Sequence, residues 1–101
     1  MDVKIERKDS ELLVSLAGEL DQHAARGVML HFRELEAQTL PERCTLDLSS
    51  LRFTDSSGIA VLLGLHRRMS DIGGSLRVVG TPQQAMKVFD AAGLRRVMKF
   101  E

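Results

Sequence analysis

The chain has 101 residues, which is enough for one small domain with a single core. Its 14 basic and 14 acidic side chains give a formal net charge of zero, which argues against a nucleic-acid binder because such proteins carry a basic excess. Four phenylalanines are the only aromatic residues, so stacking platforms for bases or sugars are not expected. We therefore expect a single domain over residues 1–101 that meets its partners through local patches.

Cysteine usage and hydropathy predict a cytoplasmic protein. The single cysteine, Cys44, has no partner for an internal disulfide, which fits a reducing compartment, and in a strand it is most simply a small buried residue. The longest apolar run, 59–65, is far shorter than the roughly 20 residues of a membrane-spanning helix. We expect no secretion signal, no membrane contact and a monomer.

The first part of the chain predicts a hairpin followed by a helix. Apolar and polar residues alternate over 3–8, and Leu12, Val14 and Leu16 alternate with the three residues between and after them. This predicts two strands joined by a turn at Asp9 and Ser10. Apolar side chains then recur at helical spacing from Gln22 to Gln38, and Asp21 stands at the N-cap position.

The second part of the chain alternates strands and helices. Strands are predicted over 44–48, 75–79 and 96–100, and a helix is predicted from about Ser56 to Ile72. A third helix opens with Thr81 as its N-cap, Pro82 at its first position and Gln84 completing a capping box. The order β-β-α-β-α-β-α-β is typical of an α/β fold with a mixed, mostly parallel sheet.

The sequence Asp55-Ser56-Ser57-Gly58 lies between the third strand and the second helix. A helix N-terminus has unpaired N–H groups and a partial positive charge, and Ser and Asp commonly cap such an end. The simplest interpretation is a helix cap. The alternative is a cap that is also a functional site.

The second helix has an unusual side opposite its predicted core stripe. The core stripe comprises Ile59, Leu62, Leu63 and Met69, with Leu65 and Ile72 at its edge. The opposite side starts with small and apolar residues and becomes basic: Ser57, Ala60, Val61, Gly64, Arg67 and Arg68. Either Ala60 and Gly64 pack under a neighbouring loop of the domain, or they form a docking face for a partner.

The sequence offers no catalytic constellation. A serine hydrolase needs a histidine within hydrogen-bond reach of its serine. His66, ten residues after Ser56 on the same predicted helix, would be roughly 15 Å away. Clustered metal ligands and a glycine-rich phosphate loop are missing from the sequence as well. We expect a protein that is not an enzyme and holds no cofactor or metal.

Several segments, in the same order along nearly the whole chain, resemble the anti-sigma-factor antagonist family, whose members are STAS domains. They are Glu19-Leu20-Asp21, Leu46-Asp47-Leu48, Phe53 to Ile59, the Gly73-Gly74 break, and Val88 to Leu94. The likeness is greatest to the sporulation members of the family. It implies a STAS fold.

The resemblance also implies a function. Such a protein binds a serine-kinase anti-sigma factor and so releases the sigma factor. The kinase, which holds the ATP or ADP itself, phosphorylates Ser56 and switches binding off, and a PP2C-type phosphatase restores it. Asp21 matches the acidic position near the phosphoacceptor. The expected partner-binding residues are Asp21, Asp55, Ser57, Gly58, Ala60, Val61, Gly64 and Arg68.

Elementary electrostatics is consistent with such a switch. A phosphoserine adds about −1.5 to −2 charges, and a helix N-terminus accommodates an anion. A partner surface suited to a neutral hydroxyl would meet a dianion beside Asp55 and Asp21, so binding would be lost without a large conformational change. Two alternatives stay open: a STAS module of another system (a stress-sigma cascade, a stressosome-like assembly or a transporter accessory subunit), and a serine hydrolase using Ser56.

Overall fold

The computed structural model describes residues 1–35 and 40–101, in which strands alternate with helices. The elements are β1 Asp2–Lys8, β2 Glu11–Leu20, α1 Gln22–Glu34, β3 Arg43–Asp47, β4 Leu51–Thr54, α2 Ser57–Asp71, β5 Ser75–Val79, α3 Gln83–Ala91 and β6 Lys99–Phe100, with a short 3-10 helix at Leu94–Arg96. The predicted end of the first helix, over 36–38, lies outside the described residues. No helix within the described ranges is long and apolar enough to cross a membrane.

The sheet is mixed, as the order of elements predicted. β1 and β2 form an antiparallel hairpin, whereas β2 with β3, β3 with β5, and β5 with β6 are parallel pairs. The main path of the sheet is β1-β2-β3-β5-β6. The α/β class with a mostly parallel sheet is therefore confirmed.

Strand β4 was not predicted, so the described order is β-β-α-β-β-α-β-α-β. It lies off the main path and pairs in parallel with the second half of β2, where Leu20 is opposite Thr54. Its four residues are buried only at the two ends, so they show no alternating pattern. Without an alternating pattern, the amino-acid sequence of a short strand cannot be distinguished from that of a loop. β4 leads the chain directly into residues 55–58.

The core lies between the sheet and the helices. Leu12, Val14 and Leu16 alternate along β2 and are buried, because successive side chains of a strand point to opposite faces. They join the buried apolar residues of the helices in one cluster, which includes Phe32 of α1 and Phe89 of α3. A single core of this kind fits a chain of this size.

The buried face of α2 differs from the predicted one. Val61 and Leu65 are fully buried, whereas Leu63 and Ile72 are 38% and 43% exposed. The reason is α1, which packs along the side of α2 that carries Gly64. A Cβ atom on Gly64 would come within 2.7 Å of Cε of Met29, so the Met29 side chain of α1 packs directly over this glycine.

The predicted capping box of α3 is wrong. Pro82 occupies the N-cap position and no side chain caps the helix. The buried Thr81 hydroxyl has no hydrogen-bond partner within the described part of the chain. Gln84 does not turn back to the helix start, because its amide bonds to the backbone of β4 instead.

Candidate functional site

The pairing of β2 with β4 brings two helix starts to the same edge of the sheet. β2 ends at Leu20 and is followed by Asp21 and α1, while β4 ends at Thr54 and is followed by Asp55 and α2. The Asp55 amide donates a hydrogen bond to the Leu20 carbonyl at 3.2 Å. The segment ending in Asp21 and the turn at 55–58, which are separate in sequence, are therefore neighbours.

Ser56 presents an exposed side chain at the start of α2. It occupies the N-cap position but has helical dihedral angles, φ −63° and ψ −16°, and its side chain makes no capping hydrogen bond. Its carbonyl accepts from the Ile59 amide at 3.1 Å. The backbone of Ser56 thus belongs to the helix start, while its hydroxyl has no part in capping.

Asp55 takes over the capping of α2. Its Oδ1 accepts a hydrogen bond from the Ser57 amide at 2.8 Å, and its backbone carbonyl accepts one from the Gly58 amide at 3.1 Å. The half-buried carboxylate therefore satisfies one of the unpaired N–H groups that a helix start leaves. The turn keeps its shape without help from the Ser56 hydroxyl.

Thr54 and Gly58 hold the turn from the core side. Thr54 is fully buried, and its hydroxyl lies 2.9 Å from the carbonyl oxygen of Asp55 and 3.3 Å from that of Leu20. A Cβ atom on Gly58 would overlap the Thr54 hydroxyl and lie 3.3 Å from Cδ2 of Leu20. Gly58 is buried against its own domain, so its lack of a side chain serves the packing of α2 on β4.

Gln84, which was predicted to complete the capping box of α3, bonds to β4 instead. Its Oε1 accepts from the Thr54 amide at 3.0 Å, and its Nε2 donates to the Thr54 carbonyl at 2.8 Å. The side-chain amide thus pairs with β4 in the way that a neighbouring strand would. The position of Gln84 after Pro82 pointed to a cap, and no local pattern distinguishes a cap from this long-range contact.

Asp21 is the N-cap of α1, as predicted. Its Oδ1 accepts a hydrogen bond from the Ala24 amide at 2.8 Å. The residue is exposed, so the remaining capacity of its carboxylate faces solvent at the edge of the sheet. Its predicted part in partner binding stays a prediction.

The predicted docking residues of α2 differ in their exposure to solvent. Val61 is fully buried in the core cluster and cannot contact a partner in this fold. Gly64 is half-buried against Met29, so of the two alternatives for this glycine the packing within the domain is observed, under a helix and not a loop. Ala60 is exposed and Arg68 is half-buried.

Ala60 and Arg68 line an open groove of about 580 Å³ between α1 and α2. Ser57 lies at one end of this groove, next to Ser56, so the groove is continuous with the turn. We call it the α1–α2 groove. Residues of α1 form its other side, and none of them belonged to the predicted docking face.

The described residues contain no group of three or more side chains able to hold a metal ion. Cys44 is buried, as predicted, and burial together with the nearby Glu11 carboxylate raises the pKa of its thiol to about 12. The thiol is therefore protonated at neutral pH and is a poor nucleophile.

The amino-acid sequence matches known proteins along nearly its full length. Residues 2–101 match the STAS domain family. An anti-sigma F factor antagonist of Paenibacillus polymyxa is 31% identical over 98 residues, which are 97% of this chain and 84% of that protein. An anti-sigma-B factor antagonist of Bacillus subtilis (strain 168) is 26% identical over 99 residues, which are 97% of this chain and 88% of that protein.

The fold also matches solved structures of one such antagonist in two states. The anti-sigma factor antagonist SpoIIAA in its unphosphorylated form has a TM-score of 0.84 at 25% identity, covering 99% of this chain and 88% of that one. The phosphorylated form of the Bacillus cell fate determinant SpoIIAA has a TM-score of 0.75 at 25% identity, covering 99% and 91%. The chain therefore belongs to the STAS domain family, as its motifs indicated.

Proposed function

We propose that this protein is an anti-sigma-factor antagonist of the cytoplasm that controls transcription through a sigma factor, most simply in sporulation. Unphosphorylated and monomeric, it binds a serine-kinase anti-sigma factor and releases the sigma factor. Phosphorylation of Ser56 by that kinase switches binding off, and a PP2C-type phosphatase restores it. One observation carries this assignment: the exposed hydroxyl of Ser56 takes no part in capping α2, in a chain similar to antagonists of anti-sigma factors.

The surroundings of Ser56 suit a residue that alternates between a hydroxyl and a phosphate. The turn is held by Asp55, Thr54 and Gly58, so the fold does not need the hydroxyl. The N-terminus of the 15-residue helix α2 favours an added anion. Both states of the protein are therefore expected to stay folded.

Loss of binding then follows from charge. A phosphate on Ser56 would add about two negative charges to a surface that already carries Asp55 and Asp21. A partner surface complementary to the unmodified turn would have to desolvate this dianion without a cation to pair with it. Truncating or mismatching a buried charge pair typically weakens binding by several kcal/mol, which is more than a hundredfold in affinity.

The proposed role is regulatory and not catalytic. The chain supplies the acceptor hydroxyl, and the partner kinase supplies the nucleotide and the phosphoryl-transfer chemistry. The chain itself needs no cofactor for binding or for release. Asp21 and Asp55 contribute the acidic surface around Ser56. Next to it, Ser57, Ala60 and Arg68 line the α1–α2 groove.

Site mapping by mass spectrometry tests the proposal. The protein is incubated with ATP and a purified serine-kinase anti-sigma factor, and wild type is expected to gain one phosphate on Ser56. Ser56→Ala should gain none and should still bind the kinase, whereas Ser57→Ala is the matched control and should be labelled. If Ser56→Ala is labelled as well as wild type, the assignment of the site is wrong.

A stress-sigma cascade is the second candidate, because the anti-sigma-B factor antagonist of Bacillus subtilis is also a relative. The acceptor chemistry would be the same and the partner different. Binding measured in parallel against an anti-sigma F and an anti-sigma-B kinase separates the two. At least a tenfold preference, which is about 1.4 kcal/mol, identifies the pathway.

A further inference from the structure

The α1–α2 groove carries an apolar floor that the domain leaves open. Met29 and Ala25 of α1 and Ala60 of α2 line it, together with Leu30, whose side chain is 58% exposed. Leucine at this exposure on a helix contributes little to the core. Exposed apolar side chains on the wall of a groove are available to the apolar side chains of a partner helix.

The charged side chains that line the groove are all basic. Arg26, Arg33 and Arg68 line it, and no carboxylate of the described residues does. Arg26 and Arg33 are exposed, one above the other on α1, and neither forms an ion pair with a residue that the structure describes. In a chain with zero formal net charge, this local excess of positive charge points to an acidic ligand.

The dimensions of the groove favour a helix as the occupant. It runs from Gln22 and Ser57 at one end to Arg33 and Arg68 at the other, which is about 11 residues of each helix. At about 1.5 Å per residue this is roughly 17 Å, the length of about three helical turns. An amphipathic helix inserts apolar side chains at i, i+3 or i+4, and i+7 into such a groove.

We propose that the α1–α2 groove binds an acidic amphipathic helix of the anti-sigma factor. Apolar side chains of that helix pack on Leu30 and Met29, and its carboxylates pair with Arg26 and Arg33. The inference rests on the proposed function for the identity of the partner, and it adds α1 as a second recognition element beside the turn at Ser56. Because the groove ends at Ser57, the same helix places the partner over the phosphoacceptor.

Charge reversal on α1 tests the inference. The dissociation constant of the unphosphorylated complex with the purified kinase is measured by calorimetry at two salt concentrations. Arg26→Glu/Arg33→Glu should weaken binding roughly 30-fold or more and reduce its salt dependence, because like charges then face each other. Leu30→Ser should weaken binding roughly fivefold or more, as a truncated interface residue does.

Matched controls lie on another surface. Arg96 is exposed and Val97 is 44% exposed, and neither lines the groove, so Arg96→Glu and Val97→Ser should leave the affinity unchanged. Arg26→Gln/Arg33→Gln serves as the second variant if charge reversal alters the melting curve. In the wild-type complex, Arg26 and Arg33 should be protected from phenylglyoxal while Arg96 stays reactive.

Each outcome decides a different point. If wild type is phosphorylated on Ser56 and the α1 double variants bind as tightly as wild type, the groove inference is overturned and the proposed function stands. If wild type is neither bound nor phosphorylated, both are overturned. Wild type and the α1 double variants are also mixed with phosphatidylglycerol vesicles. If only wild type binds the vesicles, while all of them bind the kinase with equal affinity, the groove is assigned to a lipid surface and the inference is overturned.

Discussion

The starts of α1 and α2 lie side by side at one edge of the sheet and are built differently. At α1 the N-cap residue itself caps the helix, since Asp21 accepts from the Ala24 amide at 2.8 Å. At α2 the N-cap residue is Ser56, whose side chain caps nothing, and the preceding Asp55 caps Ser57 instead. One start uses its N-cap side chain for stability, and the other leaves it exposed.

The difference shows how a helix start can hold its shape and still offer a reactive group. Capping usually takes the hydroxyl or carboxylate of the N-cap residue, which then stabilises the helix by about 1 kcal/mol. At α2 the Asp55 side chain takes over the capping, while Thr54, Gly58 and Gln84 hold the turn in place. Modification of Ser56 therefore need not disturb the fold, and the following substitutions test that division of roles.

Among the substitutions at the two helix starts, replacing Gly58 should lower the free energy of unfolding the most. Gly58→Ala places a methyl group onto the Thr54 hydroxyl, so we expect a loss of about 2–3 kcal/mol in the free energy of unfolding by urea denaturation. Gly27→Ala is the matched control on α1, where nothing lies within 4 Å of the added atom. It should stabilise the protein by roughly 0.5–1 kcal/mol through helix propensity. Equal effects at the two positions would contradict the role given to Gly58.

Removing the Gln84 amide should have the next largest effect. Gln84→Ala leaves the Thr54 amide and carbonyl without their side-chain partners, so we expect a loss of about 1–2 kcal/mol in the free energy of unfolding. Gln83→Ala, at the exposed neighbouring position, is the control and should change it by less than about 0.5 kcal/mol. Hydrogen exchange of the Thr54 amide should accelerate in Gln84→Ala alone. Unchanged exchange there would show that Gln84 does not hold β4.

Removing either capping carboxylate should have a moderate and similar effect. Asp21→Ala and Asp55→Ala each lose one hydrogen bond to a helix N–H group, and each should lower the free energy of unfolding by about 1 kcal/mol. Chemical denaturation of both variants beside wild type measures this. A negligible loss in Asp55→Ala would mean that α2 is not capped by Asp55.

Removing the Ser56 hydroxyl should have the smallest effect on stability. Because that hydroxyl makes no capping bond, Ser56→Ala should change the free energy of unfolding by less than about 0.5 kcal/mol. The same thermal or urea titration serves as the measurement. A loss near 1 kcal/mol, as expected for Asp21→Ala, would show that Ser56 is a structural cap after all.

Much of the fold was predictable because its signals are local. The alternation along β2, the helical spacing of α1 and the cap at Asp21 depend on neighbours within a few residues, and the structure confirms them. β4 was missed because its four residues carry no period of their own and are defined by pairing with β2. Gln84 was assigned to a cap for the same reason, since its partner Thr54 is 30 residues away.

The amino-acid sequence alone determined the α/β class, the family motifs and the pairing of a serine-bearing turn with a helix start. These follow from periodicity, from cap chemistry and from residues at fixed spacing. Only the tertiary structure decided which side of α2 is buried: Val61 faces the core and Leu63 does not, because α1 packs beside Gly64. The packing of α1 beside α2 likewise formed the groove next to Ser56, and no local pattern records how two helices will meet.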